Sequence, residues 1–174
     1  MRLKQLTLIL LITVTGMGLA QDDVATALET RTDLRSLTAL VYEIGFEDVL
    51  AEADDFTLFA PNDEAFTAAL EALDAPADDF FLAQSDTRLQ EMLEYHMVSQ
   101  TLMPQDIAAA DSLLETVNGE ALAVTRQGDS ITINGSADVI DTINVANGVV
   151  HVVDAVLLTY NQQQMLAQET GMDT

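Results

Sequence analysis

The sequence predicts an α+β domain, and three observations carry that prediction. Apolar residues recur at helical spacing through the first half of the chain. From Ser112 onward they alternate with a period near two, broken by frequent turn residues. A short apolar run, Phe56–Ala60, has strand composition and interrupts the helical half. Helices therefore come first and antiparallel strands follow, with the Phe56–Ala60 strand contributed early.

Residues 1–20 read as a signal peptide. Arg2 and Lys4 form a basic start, Leu6 to Val14 is apolar apart from Thr7 and Thr13, and Gly18-Leu19-Ala20 sets small residues before a cut at Gln21. The run is short for a membrane span, with an uncleaved anchor as the alternative. The expected organisation is a leader over 1–20, one domain over 21–160, and a polar tail over 161–174. That tail opens Asn161-Gln-Gln-Gln164 and has no apolar run, so a C-terminal lipid anchor is not expected.

All 29 acidic residues fall after the leader, against Arg31, Arg35, Arg88 and Arg126 only; the formal net charge of the whole chain is −23. Such a surface repels a duplex or an anionic lipid face, so no nucleic-acid partner is expected, and no membrane span after cleavage. Cysteine is absent, which removes disulfides and thiolate metal sites. The apolar fraction of 49% is too high for general disorder.

Within the helical half, Asp22 to Glu29 is a weak lead-in. Leu34, Leu37, Val41 and Ile44 keep helical spacing, with Thr32 or Asp33 as cap and Gly45 as exit. Phe46 to Ala53 forms a further short helix. After the Phe56–Ala60 strand, Pro61 lacks an N–H and ends the ladder, and Asn62 or Asp63 caps a helix with the stripe Phe66, Ala69, Leu70 and Leu73. Ala77 to Gln84 carries Phe80 and Phe81 through one or two turns. Ser85 or Asp86 caps the next helix, whose stripe Leu89, Met92, Leu93 and His96 puts an imidazole on an apolar face, with Tyr95 at its edge.

In the strand half, Leu113–Val117 and Ala121–Thr125 flank Asn118-Gly119 as a tight hairpin. Gln127-Gly128-Asp129 leads into Ser130–Ile133, and Asn134-Gly135 into Ala137–Ile140. The run from Asn147 to Leu158 is apolar on both alternating faces, as a central strand buried on two sides would be. Asn134-Gly135-Ser136 also fits a glycan acceptor, although a hairpin turn accounts for it equally.

The wording of three stretches is more specific than their physics. Thr57-Leu-Phe-Ala-Pro-Asn-Asp-Glu-Ala-Phe66, Leu93-Glu-Tyr-His-Met-Val98, and Ile133-Asn-Gly135 with Asn147-Gly-Val-Val-His-Val-Val-Asp-Ala-Val-Leu157 resemble the three signatures of the fasciclin (FAS1) domain family, once each and in family order. The resemblance covers about Leu34 to Leu158 as a single copy. It implies a β-sandwich or wedge of about seven strands with several helices packed along it. It also implies extracellular adhesion or protein binding. In animal members the Tyr-His region is linked to receptor binding, which points at Tyr95, His96, Met97 and Val98. This chain departs from the pattern there, with Met97 and Ser99-Gln100 where Val and Pro-Gly are more usual. The signature residues Thr57, Asn62, Asp63, His151 and Asp154 are expected to be structural, as is His96 alongside its place in the Tyr-His region.

No nucleophile elbow, phosphate loop or paired-His zinc spacing occurs, so no catalytic, cofactor-binding or metal-ligand residue is assigned, and the chain is read as not an enzyme. The doublets Asp54-Asp55 and Asp78-Asp79 lack the alternating oxygens of a calcium loop; weak cation binding to the acidic surface is the most they imply. The expected function is a secreted, highly acidic binding or adhesion module acting at a cell surface, matrix or biofilm through protein or polysaccharide contacts. The alternative is a carrier or sensor of a small hydrophobic ligand or cation held between sheet and helices. His96 on its apolar stripe needs a partner, and the Thr57–Asp63 segment, with Asn62 and Asp63 foremost, is where that partner is expected.

Overall fold

The structure, a computed structural model, describes residues 22–72, 86–107 and 112–159. The leader, the stretch around Phe80, Phe81 and Asp78-Asp79, and the polar tail lie outside these residues. Five helices are described: α1 (Val24–Thr30), α2 (Arg35–Glu43), α3 (Glu47–Glu52), α4 (Asp63–Ala72) and α5 (Asp86–Tyr95). The strands are β1 (Phe56–Pro61), β2 (Met97–Val98), β3 (Ser112–Glu115), β4 (Ala121–Gln127), β5 (Ser130–Ile133), β6 (Ala137–Val145) and β7 (Gly148–Val153).

The lead-in helix is better built than its sequence suggests. The Asp23 carboxylate accepts from Thr26 N at 2.8 Å, and Val24, Ala27 and Leu28 are buried in the core. Neither Thr32 nor Asp33 caps α2, contrary to expectation. The Asp33 carboxylate is held by Arg31 at 2.7 and 2.8 Å, and the Ser36 N–H is met by Asp63 from across the fold at 2.8 Å. Asn62 caps α4, its Oδ1 accepting from Ala65 N at 2.8 Å. Gly45, at φ +66°, provides the left-handed exit from α2.

The strands form one sheet in the order β2-β1-β7-β6-β5-β4-β3. All neighbours are antiparallel except β1 and β7, which run parallel from Phe56–Gly148 to Pro61–Val153. Pro61 thus stays in register at the ladder's last position, one residue beyond the expected stop. The two edges nearly meet: Val98 bridges Thr116, and Val117 N donates to Met97 O at 2.8 Å. The expected sandwich or wedge is therefore a single mixed sheet curled almost to a barrel, and curling removes most of its open edge.

Two apolar clusters share this sheet. Phe56, Leu58 and Ala60 of β1, with Val150 and Val152 of β7, pack under the helices on Leu28, Leu37, Phe66 and Leu93. Phe59 and Val153 point the other way, into the curl, beside Tyr95, Leu122, Val124, Ile131 and Ile133. This period-two split is what buries β7 on both faces.

The sequence reading stops β6 at Ile140, whereas the strand continues to Val145. A bulge between Val139 and Asp141 leaves Ile140 exposed and switches the strand's faces. Before it, Val139 packs inside the curl; after it, Ile143 and Val145 pack under the helices, and Asp141 reaches Arg31 at 2.7 Å. In the turns, Asn134 and Gly135 both have positive φ (51° and 68°), as read from Asn-Gly. At the earlier hairpin only Gly119 does, and Asn118 instead accepts from Glu120 N through Oδ1.

Candidate functional site

The residues singled out for partner binding converge where α5 meets β2, and their side chains are buried. Tyr95, His96, Met97 and Val98 are 4%, 1%, 3% and 1% exposed. Tyr95 is not at an open edge. Its ring lies inside the curl, its hydroxyl accepts from Asn134 Nδ2 at 3.0 Å, and burial raises its pKa. Met97 and Val98 are the two residues of β2, paired with Leu58 and Thr57. A partner meeting this region in the folded domain contacts its neighbours, Ser99, Gln100 and Thr101, which are exposed.

His96 does find a partner, but not the expected one. Its Nδ1 lies 2.7 Å from Met92 O, one helical turn back, and its Nε2 accepts from Leu157 N at 3.0 Å. The imidazole therefore ties the second signature to the end of the third. Neither Asn62 nor Asp63 is its partner, because both are occupied in capping helices. Only the backbone of His96 reaches the first signature, its carbonyl accepting from Phe59 N at 2.8 Å. Burial with no charged neighbour pushes the imidazole pKa down to about 4, so His96 is neutral.

The other signature residues act on backbone in the same manner. Thr57 is fully buried; its hydroxyl donates to Gln100 O at 2.6 Å and accepts from Leu102 N at 2.9 Å. His151, also fully buried, donates from Nε2 to Leu102 O at 2.7 Å, and its Nδ1 lies 3.0 Å from the Thr142 hydroxyl. The Asp154 carboxylate accepts from Asp138 N at 2.7 Å at the mouth of β6. Thr57 and His151 thus staple residues 100–102 to the sheet. Arg126 secures the next turn, donating to Pro104 O at 3.1 Å and Ile107 O at 3.2 Å.

The sequence reading passes over Asn147, taking it only as the start of a strand motif. Its Oδ1 accepts from Val24 N at 3.2 Å, and its Nδ2 donates to Leu50 O and Ala53 O at 2.9 and 3.0 Å. One amide joins α1, the end of α3 and the β6–β7 turn. Its position before Gly148 was the available signal: a Cβ at Gly148 would overlap the Phe56 carbonyl oxygen, so the backbone is closely pressed there.

Among the described residues no group of three or more His, Asp or Glu side chains is placed to hold a metal ion. Nor is any helix there long and apolar enough to cross a membrane. Asp54 and Asp55 are exposed turn residues, Asp55 at φ 54°.

With this geometry in hand, the Fasciclin domain profile matches residues 32–159, which spans all three signatures and every strand. The chain belongs to the fasciclin family. The fasciclin domain is 31% identical over 147 residues to the immunogenic protein MPB70 of Mycobacterium bovis, covering 81% of this chain and 71% of that protein. It is 29% identical to the cell surface glycolipoprotein MPB83 of the same species, covering 81% of this chain and 62% of that one. Human periostin matches at 29% identity over 80% of this chain and 16% of its own length, as expected where one domain meets a much longer protein. Among solved structures, a FAS1 domain pair from the insect cell adhesion molecule Fasciclin I superposes with a TM-score of 0.71 at 20% identity, covering 83% of this chain and 53% of that one. At that identity the likeness establishes the shared fold. The profile begins after α1, and α1 packs Val24 and Leu28 into the same core.

Proposed function

We propose that this fasciclin domain is a non-enzymatic binding and adhesion module that acts outside the cell, at a cell surface, matrix or biofilm, through protein or polysaccharide contacts. The observation that carries this reading is how the signature side chains are used. Thr57, His96 and His151 bond the backbone of connecting segments, and Asn62, Asp63 and Asp154 bond the backbone at the starts of α4, α2 and β6. Groups so engaged hold surface segments in place; none is poised as a nucleophile beside a base. The basic, apolar leader and the cell-surface relative MPB83 support an extracellular setting.

The proposed contact surface is the stapled segment Ser99–Thr101, which Thr57 and His151 present beside the buried Tyr95–Val98 core. The acidic surface favours a cationic or neutral partner and accommodates weakly bound cations. A ligand-carrying reading has less support, since Phe59, Leu122, Val124, Ile133 and Val153 fill the interior of the curl.

The test is retention of beads coated with residues 21–174 on surfaces of matrix protein, polysaccharide or intact cells. Beads carrying a triple Ser99→Ala, Gln100→Ala, Thr101→Ala variant serve as comparison. At least one surface should hold the parent beads and release the variant, with both proteins folded by circular dichroism. Equal retention of parent, variant and uncoated beads on every surface would refute the reading.

A further inference from the structure

We propose that His96 is a proton-operated latch on the C-terminal segment 155–159, holding that segment while neutral and releasing it when protonated. This does not depend on the adhesion reading. A carbonyl oxygen only accepts, so the 2.7 Å contact with Met92 O places the imidazole proton on Nδ1. Nε2 then carries a lone pair, and the Leu157 N–H donates to it at 3.0 Å. Both ring nitrogens are used and one tautomer is selected. A second proton can go only to Nε2, where it would face the Leu157 N–H, and a bond becomes a repulsion between two donors.

His151 shows why this is particular to His96. It has the opposite tautomer, with Nε2–H on Leu102 O and Nδ1 against the Thr142 hydroxyl. A hydroxyl can rotate and accept, so a proton on Nδ1 keeps its partner. A backbone N–H cannot reverse its role.

The latched segment lies beyond β7, which ends at Val153, and beyond Asp154, which is still tied to β6 through Asp138 by its N–H at 3.2 Å and its carboxylate at 2.7 Å. Leu157 itself is 2% exposed and sits in the cluster of Phe59, Tyr95 and Val98. The groups bonded to the imidazole come from α5 and from this segment. Of the titratable groups nearest these elements, Tyr95 turns its hydroxyl to Asn134 and Asp154, at the base of the segment, turns its carboxylate to Asp138 N. Glu94, also near in the chain, bonds Gln90 on the outer face of α5. Burial and the Met92 carbonyl are what act on the imidazole, and burial dominates, lowering its pKa to about 4. No carboxylate offsets the new charge, so protonation is relieved by opening the segment and admitting water. Acid would then uncover Leu157 and the apolar seat it fills.

The experiment is a pH series on the full chain by NMR, from neutral to below pH 4, in salt sufficient to screen the carboxylates. It follows the His96 ring nitrogens and the amides of Leu157, Phe59 and Val150. The proposal expects the Nδ1–H tautomer at neutral pH, and a Leu157 amide shift that tracks the His96 titration while Phe59 and Val150 keep their folded positions. His96→Asn can keep the donor to Met92 O through its Nδ2 and has no titrating ring, and should abolish the Leu157 step. Should that variant not fold, the parent's comparison of Leu157 with Phe59 still decides. An Nε2–H tautomer, a Leu157 amide indifferent to the titration, or simultaneous loss of all three amides would overturn the latch.

Discussion

Phe59 and His151 occupy paired positions of the parallel β1–β7 ladder and stack inside the curl, with ring centroids 5.6 Å apart and planes inclined by 25°. The first and third signatures therefore meet ring on ring. The second joins both, through the Phe59–His96 backbone bond and the hydrogen bond from Leu157 N to His96. The motifs that mark the family are the three sides of one internal contact.

Replacing His151 with Ala should cost about 2–4 kcal/mol, because a cavity replaces the stacked ring and Leu102 O loses its donor. Urea denaturation would show a lower midpoint with an unchanged slope. A cost below about 0.5 kcal/mol would mean that the stack and the Leu102 bond are incidental.

Thr57→Val keeps the shape of a fully buried side chain and deletes its hydroxyl. The Gln100 carbonyl and Leu102 N–H then lose their partner, at a cost of about 1–3 kcal/mol. Thr57→Ser should recover most of that stability. Equal melting of all three proteins would show that residues 100–102 are not held this way.

Gly148→Ala should be among the costliest single-methyl additions in the chain. The new Cβ overlaps the Phe56 carbonyl within the parallel ladder, and backbone cannot move aside as a side-chain tip would. Overpacking of this kind costs about 1–3 kcal/mol or more. Gly119→Ala meets open space and only the backbone strain of a side chain at φ +86°, about 1–2 kcal/mol, so it separates that strain from the overlap at Gly148.

The buried histidines make stability fall on acidification. Both have lowered pKa values, His96 to about 4 against an ordinary 6.5, so between those values the unfolded chain binds a proton that the folded one refuses. The contribution is fully present above pH 6.5 and is lost as the pH falls toward 4; for His96 it amounts to about 3 kcal/mol at about 1.4 kcal/mol per pKa unit. The difference between the parent and His96→Asn in urea melts isolates the histidine, and it should shift against the parent as the pH drops. A pH-independent difference would contradict the lowered pKa.

Charge excess predicts stabilisation by salt. The 29 carboxyl groups outnumber the basic residues heavily, and physiological ionic strength shortens the reach of their repulsion to about 8 Å. The thermal midpoint should rise from dilute buffer to strong NaCl. An unchanged midpoint would show that the charges are already well separated or neutralised by bound ions.

The sequence alone determined whatever depends on near neighbours. Stripes at helical spacing located α2, α4 and α5, glycine-bearing turns marked the hairpins from β3 to β6, and two apolar faces identified β7 as an inner strand, because each is a short-range pattern with a local physical cause. Partner choice was decided by the tertiary structure. Asp33 was an available cap until Arg31 claimed it, Tyr95 stood at a stripe's edge until Asn134 came over it, and His96 turned to Leu157 while Asn62 and Asp63 capped helices. The parallel pairing of β1 with β7 and the bulge that turns Asp141 toward Arg31 belong to the same class. Each is set by which distant segment the closing sheet brings within hydrogen-bond reach, and a one-residue change of register would alter the answer without changing any local pattern.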